Sequence, residues 1–361
     1  MSPARAVDSS PSQNPTLYCA AMRSSLVGTA LAVRHAALAA GTVVALVAAA
    51  GCQHSGSAHT QAKATTTSTP THAPLPRRLS VTRTGRLPAP VKLPAAAALP
   101  DGSVLLMGGL DRQDVSSTDI VRISRRSPAR VVGALPNPEH DAAGAPSGRT
   151  ALFIGGGNLG SSDAILRISA DGHTQQIGRL PNAASDVSAA VVGGITYVVG
   201  GYDGAMGLRS IVAIDRAGHT RLAGTLPRPL RYAAVASVEG RVLIAGGTAG
   251  TVAQRAVLSF DPATGRVHQI ATLPRPLTHA AAAPFAGLLY VIGGRGDATT
   301  SQTGSVTTVD PHTGAQRRIG HLPIALSDMA AVSTNQGIIA AGGRDQAGAV
   351  HDSILRLGPL P

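Results

Sequence analysis

Short apolar runs that end in a pair of glycines recur along most of the chain. The glycine pairs are Gly108-Gly109, Gly155-Gly156, Gly200-Gly201, Gly246-Gly247, Gly293-Gly294 and Gly342-Gly343. Successive pairs are 47, 45, 46, 47 and 49 residues apart. A leucine-proline pair precedes each by 20 or 21 residues, at Leu87-Pro88, Leu135-Pro136, Leu180-Pro181, Leu226-Pro227, Leu273-Pro274 and Leu322-Pro323. Six units in nearly constant phase predict a repeat architecture.

Each unit predicts four short strands. In the fifth unit an alanine-rich run at 279–285 comes first, an apolar strand at 288–294 second, and a strand at 305–311 third. An Asp-Pro-x-Thr-Gly turn leads to the fourth strand, as at 266–274 in the unit before. In that turn proline fixes φ and glycine supplies the positive φ that closes the reversal. Evenly spaced short strands with periodic glycines predict an all-β, six-bladed β-propeller with four antiparallel strands per blade.

The sequence also predicts how the ring closes. Three strands are predicted after Leu322, and a fourth is missing from that unit. Residues 79–88 have the pattern of a fourth strand without its first three, because Gly85-Arg86-Leu87-Pro88 matches Gly178-Arg179-Leu180-Pro181. We therefore expect the strand at 79–87 to complete the last blade and to cover otherwise open sheet edges.

This pattern resembles the Kelch repeat family, in which a hydrophobic strand ends in diglycine, an Asp-Pro turn follows, and the period lies in the high forties. The resemblance covers residues 78–361 and implies a secreted or lipoprotein-like bacterial Kelch propeller. NHL repeats, the other six-bladed type considered, lack the diglycine rule. The aromatic residue that usually opens the second Kelch strand remains only as Tyr197 and Tyr290, and the tryptophan of the fourth strand is missing. Alanine, valine and isoleucine are expected to pack between blades instead.

Residues 1–52 have the order of an export signal or membrane anchor. An uncharged apolar run at 36–50 follows scattered arginines. The run is shorter than the roughly 20 residues of a bilayer span. It ends in Ala49-Ala50-Gly51-Cys52, which resembles the lipobox of bacterial lipoproteins, with Cys52 as the lipidated residue.

Three fates of this segment stay open: a lipidated anchor, an uncleaved anchor, or a removed signal that leaves a secreted protein. Translation starts at Met1 or at Met22. Residues 53–77 are rich in Ser, Thr, Ala, Pro and His and predict a disordered linker to the propeller at 78–361. We expect an exported protein that is tethered to the outer side of the cell membrane, or otherwise secreted.

The formal charge of +12 comes mostly from arginines that are scattered along the chain. Without interleaved aromatic residues or a basic helix this charge does not predict nucleic-acid binding, whereas phosphate-rich envelope polymers or lipid headgroups suit it. Both cysteines, Cys19 and Cys52, precede the propeller, which therefore has no disulfide and no thiolate site. We expect no cofactor, no metal site and a monomer.

Polar residues are predicted to collect at one mouth of the central channel. The sixth residue after each repeat leucine gives the column Leu93, Asp141, Asp186, Tyr232, His279 and Asp328. The column before it is Lys92, His140, Ser185, Arg231, Thr278 and Ser327. Strand alternation should send one column toward the axis and the other toward the neighbouring blade. Loops that follow the diglycines add Arg295 and Arg344 to the same face.

The candidate ligand-binding residues have the chemistry to hold a cation, polarise a sugar hydroxyl or move a proton. They are Asp141, Asp186, Tyr232, His279, Asp328, Arg231, Arg295 and Arg344. The arginines suit a carboxylate or phosphate, because a guanidinium binds these groups bidentately. The alternative is a polar mouth satisfied by water and backbone amides, with no ligand. No residue is assigned a catalytic role.

Two functions are compatible with this set of residues on a propeller. The first is an extracytoplasmic binding module that presents the mouth face to a glycan, an envelope polymer or a protein partner. The second is an enzyme, because six-bladed bacterial Kelch proteins similar to N-acetylneuraminate epimerase act on sialic acid, and acid, base and arginine groups suit sugar mutarotation. A closed cluster within hydrogen-bond reach would favour catalysis, and a broad open face would favour binding.

Overall fold

Six antiparallel β-sheets make up residues 78–359, the part of the chain that the computed structural model describes. Each sheet is one blade of the ring, so the six-bladed all-β prediction is confirmed. Within this range no helix has the length and apolar character needed to cross a bilayer. The predicted export segment at 1–52 and the linker at 53–77 lie outside the described residues.

Strands follow the chain from the inner to the outer edge of each blade. Blades 1 and 2 comprise β2 (Ala95–Ala98), β3 (Val104–Met107), β4 (Asp119–Ile123) and β5 (Arg130–Ala134), then β6 (Ala143–Ser147), β7 (Thr150–Ile154), β8 (Ala164–Ile168) and β9 (Thr174–Arg179). Blade 3 comprises β10 (Ser188–Val192), β11 (Ile195–Val199), β12 (Ser210–Ile214) and β13 (Thr220–Thr225). Blade 4 comprises β14 (Ala234–Val238), β15 (Arg241–Ala245), the two-residue β16 (Thr248–Ala249), β17 (Val252–Asp261) and β18 (Arg266–Leu277). Blade 5 comprises β19 (Ala281–Phe285), β20 (Leu288–Ile292), β21 (Ser305–Val309) and β22 (Gln316–His321).

Blade 6 joins the two ends of the described chain. Its strands are β23 (Ser327–Thr334), β24 (Gly337–Arg344), β25 (Ser353–Pro359) and the outermost β1 (Leu79–Arg86). β1 pairs antiparallel with β25 from Leu79 opposite Pro359 to Arg86 opposite Ser353. Arg83 and Arg86 both bind the Asp352 carboxylate, at 3.1 and 3.3 Å. The predicted closure of the ring by residues 79–87 is confirmed.

Hydrophobic side chains fill the spaces between adjacent blades. In the cluster between blades 3 and 4, Tyr197 lies edge-on to Phe260 at a ring-centroid distance of 5.4 Å, with small aliphatic residues around them. Near the axis the inner strands approach too closely for larger side chains. A Cβ on Gly144 would lie 2.3 Å from the carbonyl oxygen of Ala96 in the next blade. This crowding explains why the first strand of each blade is rich in alanine.

The glycine pairs form the joints between blades. Gly155 and Gly156 have φ of 64° and 102°, a backbone region that favours glycine. A Cβ on Gly155 would lie 2.3 Å from the carbonyl oxygen of Ala184, in the loop that enters blade 3. The Gly156 N–H donates a 2.9 Å hydrogen bond to the same oxygen. The repeated diglycine is therefore required where the loop into the next blade crosses the end of the second strand.

Removal of β1 should destabilise the whole ring. A chain that starts at residue 90 loses the pairing with β25 and also the side chain of Leu87, which is 5% exposed. Loss of a buried leucine alone costs about 2–5 kcal/mol, and the exposed edge of β25 adds a site for aggregation. We expect a clear fall in Tm by calorimetry relative to a chain that starts at residue 78. Equal Tm values for the two chains would contradict closure of the ring by β1.

Candidate functional site

Six equivalent residues around the axis adopt a left-handed backbone conformation. They lie where the chain enters the first strand of each blade: Leu93 (φ 56°), Asp141 (56°), Asp186 (57°), Tyr232 (51°), His279 (54°) and Asp328 (62°). Their backbones are joined from blade to blade by hydrogen bonds. The N–H groups of five of them, all except Asp186, donate to the carbonyl oxygen of the equivalent residue one blade earlier at 2.7 to 3.2 Å. We call these six residues the axial ring.

The side chains of the axial ring are not needed for its backbone shape. Leu93 and Asp328 have almost the same φ, and they donate the same kind of hydrogen bond, although their side chains differ completely. Glycine would adopt this conformation without strain, whereas a larger residue held in it costs on the order of 1–3 kcal/mol. The backbone hydrogen bonds between blades hold this strained conformation at polar positions and at Leu93 alike.

The ring surrounds a small polar cavity at the mouth of the channel. All six ring residues line it, together with the first residues of the inner strands. Its volume is about 150 Å³. Whole-ligand pockets usually have about 300 Å³ or more. The cavity therefore has room for one functional group of a larger ligand.

Asp141 is a carboxyl group held in its protonated form. Burial, with the nearby Asp186 and Asp328 carboxylates, raises its pKa well above the ordinary 3.8. The Tyr232 hydroxyl reaches from blade 4 to donate a 3.3 Å hydrogen bond to Asp141 Oδ2. Burial also raises the pKa of Tyr232, so this phenol keeps its proton. The two side chains form a neutral pair on one side of the cavity.

Asp186 has its own counter-ion. Its side chain is 3% exposed and forms a hydrogen-bonded ion pair with Arg231. The Arg231 guanidinium also lies over the ring of Tyr202, 4.3 Å from the centroid, and 5.2 Å from the centroid of Tyr232. An arginine held by a carboxylate and two aromatic rings is fixed in place.

His279 is a neutral imidazole. Burial, with Arg295 and Arg231 nearby, lowers its pKa to about 3. The ring stacks on Tyr232 at a centroid distance of 3.8 Å. Nε2 lies 3.3 Å from Nη2 of Arg295, and Nδ1 lies 3.0 Å from Oγ1 of Thr278. A guanidinium can only donate, so Nε2 is the acceptor and Nδ1 carries the proton.

Asp328 faces His279 and is incompletely satisfied. Its Oδ2 accepts a 2.6 Å hydrogen bond from the Ser327 hydroxyl, while Oδ1 is buried and has no hydrogen-bond partner in residues 78–359. Oδ1 lies 3.9 Å from Nε2 of His279. Burial raises the pKa of Asp328, although Arg295, Arg344 and Lys92 act in the opposite direction. A carboxyl group whose pKa is raised by burial and a neutral imidazole thus lie side by side.

Cationic side chains contact the axial ring or act on it electrostatically from four adjacent blades, 4, 5, 6 and 1. They are Arg231, Arg295, Arg344 and Lys92. Lys92 forms an ion pair with Asp114, and Arg295 donates to the carbonyl oxygens of Gly296 and Asp297. The Arg344 backbone pairs with Ser327, next to Asp328, and its guanidinium has no hydrogen bond or ion pair with any described residue. Arg344 interacts electrostatically with Asp114 and Asp328, whose pKa values it helps to lower.

The eight predicted site residues fall into three groups. The five polar residues of the predicted column line the one cavity, Arg231 and Arg295 contact them, and Arg344 acts over a longer distance. Sequence reasoning did not select Lys92, Thr278 and Ser327, which contact or influence the ring. All three stand in the column directly before it, so their position was the available signal. In residues 78–359 no three His, Asp or Glu side chains are placed to hold a metal ion.

Asp141→Asn should stabilise the protein increasingly as pH rises. The folded state keeps a proton on Asp141 that the unfolded chain releases above about pH 4. Stability is therefore lost as pH rises from that value toward the raised folded pKa, and asparagine removes the loss. We expect the variant and the parent to have equal Tm near pH 3.5 and the variant to have the higher Tm at pH 7.

Asp163→Asn is the matched control, since Asp163 pairs with Arg179 at the outer surface. Such a pair contributes about 0–1 kcal/mol. A Tm difference for Asp141→Asn that stays flat between pH 3.5 and 7 would contradict the assignment of a retained proton.

Comparisons with known proteins agree with this architecture. The Kelch motif matches residues 183–221 and 229–274, which span blades 3 and 4. A search of curated proteins finds no significant match. The solved structure of YjhT superposes with a TM-score of 0.64 over 76% of this chain and 98% of that chain, at 16% sequence identity, a likeness that concerns the fold. The matched motifs and the ring of six four-stranded blades show that this chain belongs to the Kelch-repeat β-propellers.

Proposed function

We propose that the channel mouth binds a small anionic unit of a glycan, such as an acidic sugar, and that the chain is an extracytoplasmic binding module. The observation that carries the proposal is the set of cationic side chains on four adjacent blades around a small hydrogen-bonding cavity. The extracytoplasmic location rests on the signal-like pattern of residues 1–52. A protein or an envelope polymer that carries such an anionic unit would use the same groups.

The charges of the site favour an anion. Arg231 is paired with Asp186 and Lys92 with Asp114, so Arg295 and Arg344 are the cations near the ring that no ion pair with a residue of the range 78–359 offsets. Arg344 has no hydrogen bond or ion pair with a residue of the range 78–359, and it interacts electrostatically with Asp114 and Asp328. A carboxylate of the ligand that accepts hydrogen bonds from Arg344 would gain the strength of a charge-assisted, bidentate pair.

The neutral groups of the ring suit sugar hydroxyls. A protonated carboxyl can donate as well as accept, and Asp141 and Asp328 both have raised pKa values. The stacked rings of Tyr232 and His279 add an apolar surface. Because the cavity has a volume of about 150 Å³, we expect one functional group of a terminal sugar unit to enter it while the rest of the ligand lies outside.

Proton transfer on the bound sugar is a second candidate function. Asp328 Oδ1 lies 3.9 Å from Nε2 of His279, and burial raises the pKa of Asp328 while it lowers the pKa of His279. Such a pair suits general acid-base catalysis of ring opening and closing. The Asp, His and Arg groups also form a cluster with contacts of 3.3 to 3.9 Å, the arrangement that favours catalysis over a broad platform.

Glucuronate and glucose make a matched pair of probes, because they differ only at C6, where glucuronate has a carboxylate and glucose a hydroxymethyl group. We expect glucuronate, and not glucose, to raise the Tm of the full chain in proportion to ln(1 + [L]/Kd). Arg344→Gln should weaken the response at least about tenfold in Kd, as expected for loss of a charged hydrogen bond of about 1.5–3 kcal/mol. The matched control is Arg122→Gln, since Arg122 pairs with Asp101 away from the mouth.

Equal responses to both sugars, or an equal loss in both variants, would contradict an anion site at the mouth. The catalytic candidate has a separate readout in the rate of anomer exchange of bound sugar, measured by NMR. Asp328→Asn should abolish that exchange and keep glucuronate binding. If anomer exchange is no faster with the parent protein than in buffer, the catalytic candidate is excluded and the proposal of a binding module stands.

A further inference from the structure

Exposed arginines occur on the outermost strand of every blade. These strands are β5, β9, β13, β18, β22 and β1, each at the outer edge of its sheet. Their sequences contain nine arginines, all exposed, and no Asp or Glu. The arginines are Arg83, Arg86, Arg130, Arg179, Arg221, Arg266, Arg275, Arg317 and Arg318. We call them the arginine belt.

Most of the belt has no counter-ion in the protein. Arg83 and Arg86 share Asp352, and Arg179 pairs with Asp163. The other six side chains have no ion pair or hydrogen bond with a residue of the described range. They are Arg130, Arg221, Arg266, Arg275, Arg317 and Arg318. These six lie on blades 1, 3, 4 and 5, so arginines without an ion pair occur at four of the six outer edges.

Protection of sheet edges does not explain the belt. Charged residues on an outer strand prevent pairing with another sheet, but either sign of charge does this. All six outermost strands carry arginine, and none carries aspartate or glutamate. Edge protection does not require that all the charges be positive. A single sign of charge on a surface favours an oppositely charged ligand.

The course of the arginine belt around the ring favours polyanions that can bend to follow it. A flat membrane can contact only one side of a ring. The six strands contain no Phe, Tyr or Trp on which bases could stack, and duplex DNA is stiff over about 50 nm, too stiff to follow so small a circumference. A flexible polymer with repeated phosphate or carboxylate groups can follow the belt from blade to blade.

We propose that the arginine belt binds a flexible polyanionic polymer that contacts several blades at once. Each exposed arginine contributes little by itself, but contacts along one polymer chain add through effective concentration. Binding of this kind releases counterions, so it weakens steeply with salt. The belt is separate from the channel mouth, and the proposal does not depend on the proposed function.

Inorganic polyphosphate of about 100 units is the probe, with tripolyphosphate as the short comparison, and binding to the full chain is measured by calorimetry from 50 to 300 mM salt. The belt variant carries Arg→Gln at the six unpaired positions. The matched control carries Arg→Gln at six exposed positions outside the belt: Arg112, Arg125, Arg126, Arg149, Arg216 and Arg228. Both variants lose the same net charge.

We expect the parent to bind the long chain at least tenfold more tightly than tripolyphosphate per mole of ligand. The belt variant should lose at least tenfold of that affinity and show a shallower dependence on salt, while the control loses much less. Equal losses in both variants would show that net charge alone acts and would overturn the proposal. The proposal would also be overturned if the parent did not bind polyphosphate at 50 mM salt, or if it bound oligo-dT more tightly than polyphosphate. It would likewise be overturned if the belt substitutions weakened binding to anionic vesicles alone.

Discussion

The structure depends on the meeting of six chain segments around one axis. At that point the backbone turns through a left-handed residue in every blade, and five of the six contacts are N–H to C=O hydrogen bonds between neighbouring blades. Close packing of the segments also explains the diglycine joints and the alanine-rich inner strands. At these positions the backbone of a neighbouring blade occupies the space that a larger side chain would need. β1 makes the arrangement circular by completing blade 6.

This constraint fixes the backbone of the axial ring and leaves its side chains free to vary. Buried polar side chains that lie close together at six equivalent positions have strong electrostatic consequences. Burial raises the pKa of Asp141 and lowers the pKa of His279, while Asp186 forms an ion pair with Arg231. One ring thus carries acid, base and ion-pair chemistry on a single repeated backbone.

The blades, the closing strand and the ring positions could be predicted from the sequence, because constant spacing from each repeat leucine places equivalent residues at equivalent points. It could not reveal the left-handed backbone, since Leu93 and Tyr232 are not residues that usually adopt it. Nor could it reveal the proton on Asp141, which depends on carboxylates of two other blades. The arginines of the belt are scattered in sequence, and only the sheet order brings them to the outer edges.

The most direct test of a fixed ring backbone with free side chains replaces the five polar ring residues, Asp141, Asp186, Tyr232, His279 and Asp328, with asparagine in one chain. Asparagine adopts the left-handed conformation more readily than other residues that carry a side chain. Calorimetry of this variant with and without glucuronate separates backbone from side chain. We predict a cooperatively unfolding propeller that no longer responds to the sugar acid. A variant that does not fold, or one that responds like the parent, would contradict this division between backbone and side chain.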